Sequence, residues 1–350
     1  MTDPGVRDLQ RPNGVVADDA LLDVRNLNVA YRRGARHLRA VVDASFKVRQ
    51  GRTLALIGES GSGKSSIARA ICGLVPPETG AIVIDGHQLT EATDRPAAAG
   101  EWGVQIVFQD PTSGLDPRWP IWRSIAEPLT RRIPSAEQRH ERALEMMERV
   151  GLDRSLAEHR PHQVSGGQRQ RVTIARALAP TPKLVILDEA VSALDVSVRN
   201  EILALLDDLK RQEGLTYLFI SHDMGAVTQM AADVAVMYLG TIVEQGEAER
   251  VIRHPAHPYT EALLAAVPTL TGEAADQELR LRGEIGDPAH PPPGCRFHTR
   301  CPLAAEVCTQ EVPQLRLVRR RFTACHRAEE MRGHKEDAAA LEGETSASVG

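Results

Sequence analysis

The sequence predicts an α/β protein, with a mostly parallel sheet carrying helices on its faces and a smaller C-terminal unit of different make-up. Three observations predict it. Short apolar runs rich in β-formers, "TLALIG", "AIVID", "GVQIVF", "KLVILDE", "TYLFISHD" and "VAVMYLGTIVEQG", alternate with helical patterns, the order that crossover connections require. A glycine-rich loop, "GESGSGKS", lies between one such strand and a helix, a context that gives the loop chemical meaning. After about Gly246 the composition changes, and 268–293 contains five prolines, which places a boundary near 250.

Composition bounds the function. The chain has 350 residues, 42% hydrophobic and 25% charged, enough for more than one folding unit. The segments 1–19 and 329–350 are polar and expected to be disordered. The N-terminus has no apolar segment of signal-peptide type, and no run reaches the ~18 apolar residues of a membrane span. The expected compartment is the cytoplasm, where clustered cysteines serve as metal ligands or catalytic groups more often than as disulfides. The net charge of −5 gives no general attraction to nucleic acid, and the run Arg319, Arg320 and Arg321 is expected to be a solvated face,.

In chain order, the strand "TLALI" leads into Gly58–Ser65, which matches the phosphate-loop pattern,. The loop opens a helix, so its backbone N–H groups converge on phosphate oxygens where the helix dipole adds positive potential. The nucleotide-binding set is Gly58, Ser60, Gly61, Gly63, Lys64, Ser65 and Ser66. Lys64 is expected to bridge the β- and γ-phosphates and the Ser65 hydroxyl to ligate Mg²⁺. Cys72 reads as a small buried hydrophobe. Residues 111–165, with three prolines near their start and "AEQRHERALEMMERVGL" later, read as a mainly helical insertion. The strand "KLVILDEA" delivers Asp188 to the Mg²⁺ shell and Glu189 to the water that attacks the γ-phosphate, a general-base role. Ser197–Arg211 repeats apolar residues as an amphipathic helix does. These features together predict an NTP hydrolase.

The stretch "VSGGQRQRVTIARALA" separates this chain from other phosphate-loop enzymes. Ser165, Gly166, Gly167 and Gln168 open a helix and make a second anion cradle. With these residues the chain resembles the ATP-binding subunit of an ATP-binding cassette (ABC) transporter over about residues 20–330. The resemblance implies a RecA-like core at 20–250 with the helical subdomain at 111–165, and a C-terminal domain at 251–328. It further implies a composite site in which the signature loop of one subunit caps the γ-phosphate held by another. Tyr31 is implied to stack on adenine, Gln109 of "FQDP" to report on Mg²⁺ and couple to the membrane partner, Asp195 to line the dimer interface, and His222 to contact the γ-phosphate. Val164 and Ala190 depart from the family's commoner Leu and Pro, but neither removes a catalytic group. Trp119 and Trp122, near Gln109, have two readings, a permease-docking surface or core.

Within the family, "HPAHPYTEALLAAVP" and the proline-rich stretch after it are similar to the segment following the ATPase domain in oligopeptide and dipeptide permeases. The implied setting is the cytoplasmic face of the membrane. The implied partners are a second ATPase subunit, non-identical or a second copy of this chain, two transmembrane permease subunits and an external solute-binding protein. Two alternatives stand beside peptide import. One is transport of another solute, such as nickel or a glutathione-like compound; the other is a soluble ABC protein acting on nucleic acid or ribosomes.

Cys295, Cys301, Cys308 and Cys325 lie within 31 residues, separated by 5, 6 and 16. These gaps are not the tight C-x₂-C pairs of zinc ribbons. Four thiolates also hold a [4Fe–4S] cluster when the fold assembles them. The resemblance to peptide-permease ATPases ranks iron–sulfur ahead of Zn²⁺, with disulfides or free thiols third.

Overall fold

The computed structural model describes residues 20–33, 36–89, 102–266 and 286–331. The expectations of disorder at 1–19 and 329–350 lie outside these residues apart from 329–331, as does much of the proline-rich stretch.

The described chain opens with two long strands, β1 (Ala20–Arg33) and β2 (Arg36–Arg49), paired antiparallel. The fully buried β3 (Thr53–Ile57) runs into the phosphate loop and α1 (Lys64–Ile71). Next come β4 (Thr79–Ile84) and the short β5 (His87–Gln88), which complete a four-stranded antiparallel sheet ordered β2-β1-β4-β5. The opening strands were not foreseen, although "LLDVRNLNVAYRR" pairs with "HLRAVVDASFKVR" along their length.

After β6 (Val104–Val107) the described chain is helical, with α2 (Ile121–Ala126), α3 (Ala136–Arg149) and α4 (Gly166–Leu178). Ser135 caps α3 by accepting the Gln138 N–H,. Then β7 (Leu184–Asp188) leads to α5 (Val196–Glu213), longer at both ends than the sequence pattern marked. Asp195 caps it, accepting the Val198 N–H at 3.0 Å, and Gly214 ends it at φ 66°,. The sheet continues through β8 (Thr216–Ile220), α6 (Met224–Met230), β9 (Asp233–Tyr238) and β10 (Thr241–Glu247). The run "VAVMYLGTIVEQG" is thus a hairpin of two strands. Leu239 and Gly240 turn it with φ of 41° and 85°, the positive pair of a tight two-residue turn.

Beyond it lie α7 (Ala248–Arg253), α8 (Pro258–Ala265), α9 (Glu306–Gln310), β11 (Arg316–Val318) and β12 (Arg321–Thr323). The second sheet runs β11-β12-β10-β9-β3-β8-β7-β6, parallel from β9 to β6 and antiparallel from β9 to β11. The C-terminal strands therefore extend the mainly parallel sheet instead of forming a separate one.

Both faces of the parallel strands are buried, and the two-residue period sorts their side chains. Ala55, Ile57, Val185, Leu187, Tyr217 and Phe219 face a core shared with α2–α6. Leu54, Leu56, Leu184, Ile186, Leu218 and Ile220 face α1 and the antiparallel sheet. Cys72 is in that second core, and burial pushes its thiol up to about 12, so it is a neutral apolar group,.

The run 319–321 is not wholly a solvated face. Arg319 and Arg320 turn the β11–β12 hairpin at φ 43° and 63°, but Arg321 is only 1% exposed and lies 3.5 Å from Oε1 of the fully buried Glu244. Gly246 makes room for it, since a Cβ there would meet the Arg321 Cβ at 2.9 Å. Strand pairing, invisible in a run of three like residues, turned this side chain inward.

Candidate functional site

The carboxyl ends of β3, β6, β7 and β8 bring together residues far apart in sequence. At the end of β3 the chain must turn sharply, and only glycine serves: a Cβ on Gly58 (φ 148°) would lie 2.2 Å from the Met237 carbonyl oxygen. Gly63 (φ 107°), which precedes α1, would place one 2.3 Å from the Ala40 carbonyl oxygen,. Ser60 and Gly61 are exposed at the mouth of the loop. Lys64 is 4% exposed, and its Nζ donates to the carbonyls of Gly58 (2.8 Å) and Glu59 (2.9 Å) and to Ser62 Oγ (3.3 Å). Burial lowers the Lys64 pKa, against the pull of Glu189, Asp188 and Glu59,.

Ser65 Oγ donates to Asp188 Oδ1 at 3.0 Å. Burial holds the Asp188 pKa above the usual carboxylate range, with the Ser65 hydroxyl opposing. A hydroxyl and a carboxylate oxygen side by side are the hard donors that suit Mg²⁺, so these residues fit that ion. Glu189 follows directly, in the left-handed region at φ 51°. Its Oε1 lies 3.5 Å from His222 Nδ1. Tyr31 of β1 donates to Ser66 Oγ at 3.2 Å. Gln109, two residues beyond β6, is exposed.

The signature residues form a separate face. Ser165 and Gln168 make a reciprocal cap on α4: Ser165 Oγ accepts the Gln168 N–H at 3.2 Å, and Gln168 Oε1 accepts the Ser165 N–H at 2.9 Å,. A Cβ on Gly166 would meet nothing within 4 Å, while one on Gly167 would meet only Val198 of α5. The Gly166 side is open. Asp195, exposed, spends its carboxylate on the N-terminus of α5, and Val196 beside it is 68% exposed. Trp122 packs edge-on to His140 at 4.9 Å, partly buried against the core, and Trp119 carries the Arg123 guanidinium 4.4 Å above its ring.

The four C-terminal cysteines are free thiols, and Cys295, Cys301 and Cys325, beside their burial, feel the charge of neighbouring cysteines. Burial raises Cys325 to about 12 and Cys301 to about 11, and the charges of Cys295 and Cys308 add to both. The Cys295 N–H also donates to the Cys308 carbonyl at 2.8 Å. Among the described residues, however, no three or more His, Cys, Asp or Glu side chains stand in an assembled metal-binding geometry. The donor set suits a soft metal, while its arrangement is not that of a preformed site.

The sequence reading gave no part to Glu59, within the phosphate loop, or to Arg300, beside Cys301. Arg300 holds the Glu59 carboxylate through both guanidinium nitrogens. An acidic residue inside a phosphate cradle was the available signal, because such a charge needs a counter-ion.

The family model described as "ABC transporter" matches residues 41–192, and that described as "Oligopeptide/dipeptide transporter, C-terminal region" matches residues 243–308. The chain is 42% identical over 322 residues to the di/tripeptide transport ATP-binding protein DppF of Pseudomonas aeruginosa, covering 90% of this chain and 100% of that protein. It is 43% identical over 291 residues to the dipeptide transport ATP-binding protein DppF of Escherichia coli K12, covering 83% and 87%. Among solved structures it is similar to the dimeric, post-hydrolysis ATP-binding cassette MJ0796 bound to ADP and Pi, with a TM-score of 0.59 and 28% identity over 65% of this chain and 98% of that one. No described helix is long and apolar enough to cross a membrane. The phosphate loop, strand-end carboxylates and signature helix stand in one frame, and the chain belongs to the ABC transporter family as an ATP-binding subunit, an ATPase coupled to transport.

Proposed function

We propose that this chain energises the import of dipeptides or oligopeptides, as one half of an ATP sandwich on the cytoplasmic face of a membrane permease. The observation that carries the reading is the succession, in one chain, of the ABC transporter match at 41–192 and the oligopeptide/dipeptide transporter C-terminal match at 243–308. In this reading the partners are a second ATPase subunit, non-identical or a second copy, two permease subunits and an external solute-binding protein.

Within the site, the amides of Ser60, Gly61, Gly63 and Ser66 cradle the phosphates, and Lys64 exchanges its carbonyl partners for β- and γ-phosphate oxygens. Ser65, Asp188 and Gln109 would hold Mg²⁺, which supplies charge neutralisation across those phosphates. Glu189 accepts the proton of the attacking water, and His222 orients the γ-phosphate. Tyr31 gives up its Ser66 contact to lie against adenine. The Ser165–Gln168 cap and Asp195 belong to the partner-facing surface; open space at Gly166 and the exposure of Val196 support that placement. Residues 111–165 dock on the permease, which crosslinking of single cysteines at 111–130 to permease subunits would detect.

Cys295, Cys301, Cys308 and Cys325 would hold a [4Fe–4S] cluster, or Zn²⁺ in its place, as a clamp on the C-terminal segment. Beside burial, the charges of Cys295, Cys301 and Cys308 all raise the Cys325 thiol, which supports this reading.

Reconstitution with the permease subunits and solute-binding protein of a peptide importer tests the import reading: di- and oligopeptides should stimulate ATP hydrolysis and accumulate in proteoliposomes. Stimulation by nickel or a glutathione-like compound, with none by peptides, would overturn it.

A further inference from the structure

The segment that carries the cysteines reaches the phosphate loop directly through Arg300 and indirectly through the β9–β10 turn. Arg300 Nη1 donates to Glu59 Oε2 at 2.7 Å and Nη2 to Glu59 Oε1 at 3.2 Å, with the Arg300 side chain only 5% exposed. The guanidinium is braced by Tyr238, whose hydroxyl lies 3.4 Å from Nη1 and whose ring centre is 5.8 Å from Cζ. Arg296, beside Cys295, donates to the Leu239 carbonyl. The next residue, Gly240, donates its N–H to the carbonyl of Ser62, inside the phosphate loop, at 2.8 Å. From α8, the Tyr259 hydroxyl accepts the Glu59 N–H at 2.8 Å. Tyr238, Tyr259 and Phe297 pack together with ring centres 4.7–5.5 Å apart, so the grip is built on a rigid aromatic base,.

Glu59 is a problem that this grip solves. A carboxylate in a loop built for phosphate repels the ligand, and it is one of three carboxylates, with Glu189 and Asp188, whose charge reaches the Lys64 ammonium,. Lys64 Nζ is already 2.9 Å from the Glu59 carbonyl. The fork of Arg300 engages both carboxylate oxygens and offsets their charge,. Without it, the Glu59 side chain would compete with ATP for Lys64 and set an uncompensated negative charge beside the triphosphate.

We propose that Arg300 is a positioning residue of the ATP site: by holding Glu59 it keeps Lys64 and the loop amides free for phosphate, making the cysteine-bearing segment part of the nucleotide site. The proposal rests on the phosphate-binding role given to Lys64.

The test is the affinity of the purified full-length chain for a fluorescent ATP analogue, with KM and kcat measured in the reconstituted complex. Arg300→Gln should raise Kd and KM roughly tenfold and leave kcat within about twofold, the loss of a charge-assisted pair at a binding step. Glu59→Gln should bind at least as tightly as the parent, because the repelling charge is gone. The double variant should recover most of the affinity lost in Arg300→Gln, which a packing defect could not do. Arg300→Lys keeps the charge but not the fork, and should lose about two- to threefold; it secures the test if the glutamine variant misfolds. Parent affinity in Arg300→Gln, or a double variant as weak as Arg300→Gln alone, would overturn the proposal. Lys64→Ala separates the two readings: undiminished binding in that variant would remove the phosphate-loop role itself.

Discussion

His222 Nδ1 stands 3.5 Å from Glu189 Oε1, joining the second residue beyond β8 to the first residue beyond β7. The same two strand ends meet through the backbone, where the Glu189 N–H donates to the Ile220 carbonyl at 2.9 Å. Glu189 is thereby held at a positive φ of 51°, a conformation that costs of order 1–3 kcal/mol and persists where surrounding structure enforces it. The carboxylate is 18% exposed, within reach of solvent but confined in direction.

Replacing Glu189 by Gln keeps the shape and removes the base. Steady-state phosphate release should fall by at least ~10²-fold, the usual contribution of a positioned base, while equilibrium ATP binding stays within about twofold. Hydrolysis at the parent rate in the reconstituted complex would show that another group takes the proton.

The buried pair Arg321–Glu244 ties β12 to β10. Glu244 also accepts the N–H groups of Ala256 (2.8 Å) and His257 (3.0 Å), which fastens the start of α8 to the same carboxylate. Arg321→Met leaves that charge without its counter-ion and should destabilise the chain by about 3–5 kcal/mol. Adding Glu244→Gln should return part of the loss. Denaturant unfolding of the full-length proteins measures both, and a double variant less stable than Arg321→Met would contradict the account.

His257 is packed against Phe297 with ring centres 5.8 Å apart, its Nδ1 accepts the Tyr259 N–H, and burial drives its pKa from 6.5 down to about 3. The folded chain therefore keeps this imidazole neutral while the unfolded chain protonates it. Its contribution to stability is complete above pH 6.5 and declines as the pH falls towards 3, with a limiting slope of about 1.4 kcal/mol per pH unit. His257→Asn retains a capping acceptor but does not titrate, so its stability should fall less steeply from pH 6.5 to 4 than that of the parent. Equal slopes in calorimetric titrations would exclude His257 as a source of acid lability.

Purified without oxygen, the full-length chain should be brown, with broad absorption near ~400 nm and about four irons per chain. Serine at any one of Cys295, Cys301, Cys308 or Cys325 should abolish that absorption. Stoichiometric zinc without iron would establish the other occupant, and a folded, metal-free C-terminal segment would rule out both.

The sequence alone determined the features that depend on neighbouring residues. "GESGSGKS" was legible because strand, glycine turn and helix start are contiguous. The apolar run ending in Asp188 and Glu189, and the amphipathic repeat of α5, were legible for the same local reason. Only the tertiary structure decided which segments share a sheet. The β1–β2 pairing, the hairpin at Leu239–Gly240 and the attachment of β12 to β10 depend on hydrogen bonds between strands, and a strand's own residues do not name its neighbour. Burial followed from those pairings. Arg321 reads as a surface cation until β12 turns it onto Glu244, and Glu59 reads as an inert loop position until Arg300, 241 residues later, closes on it. A charge excluded from water needs a partner wherever in the chain that partner lies, so the sequence could show the need at Glu59, while the fold alone selected Arg300 to meet it.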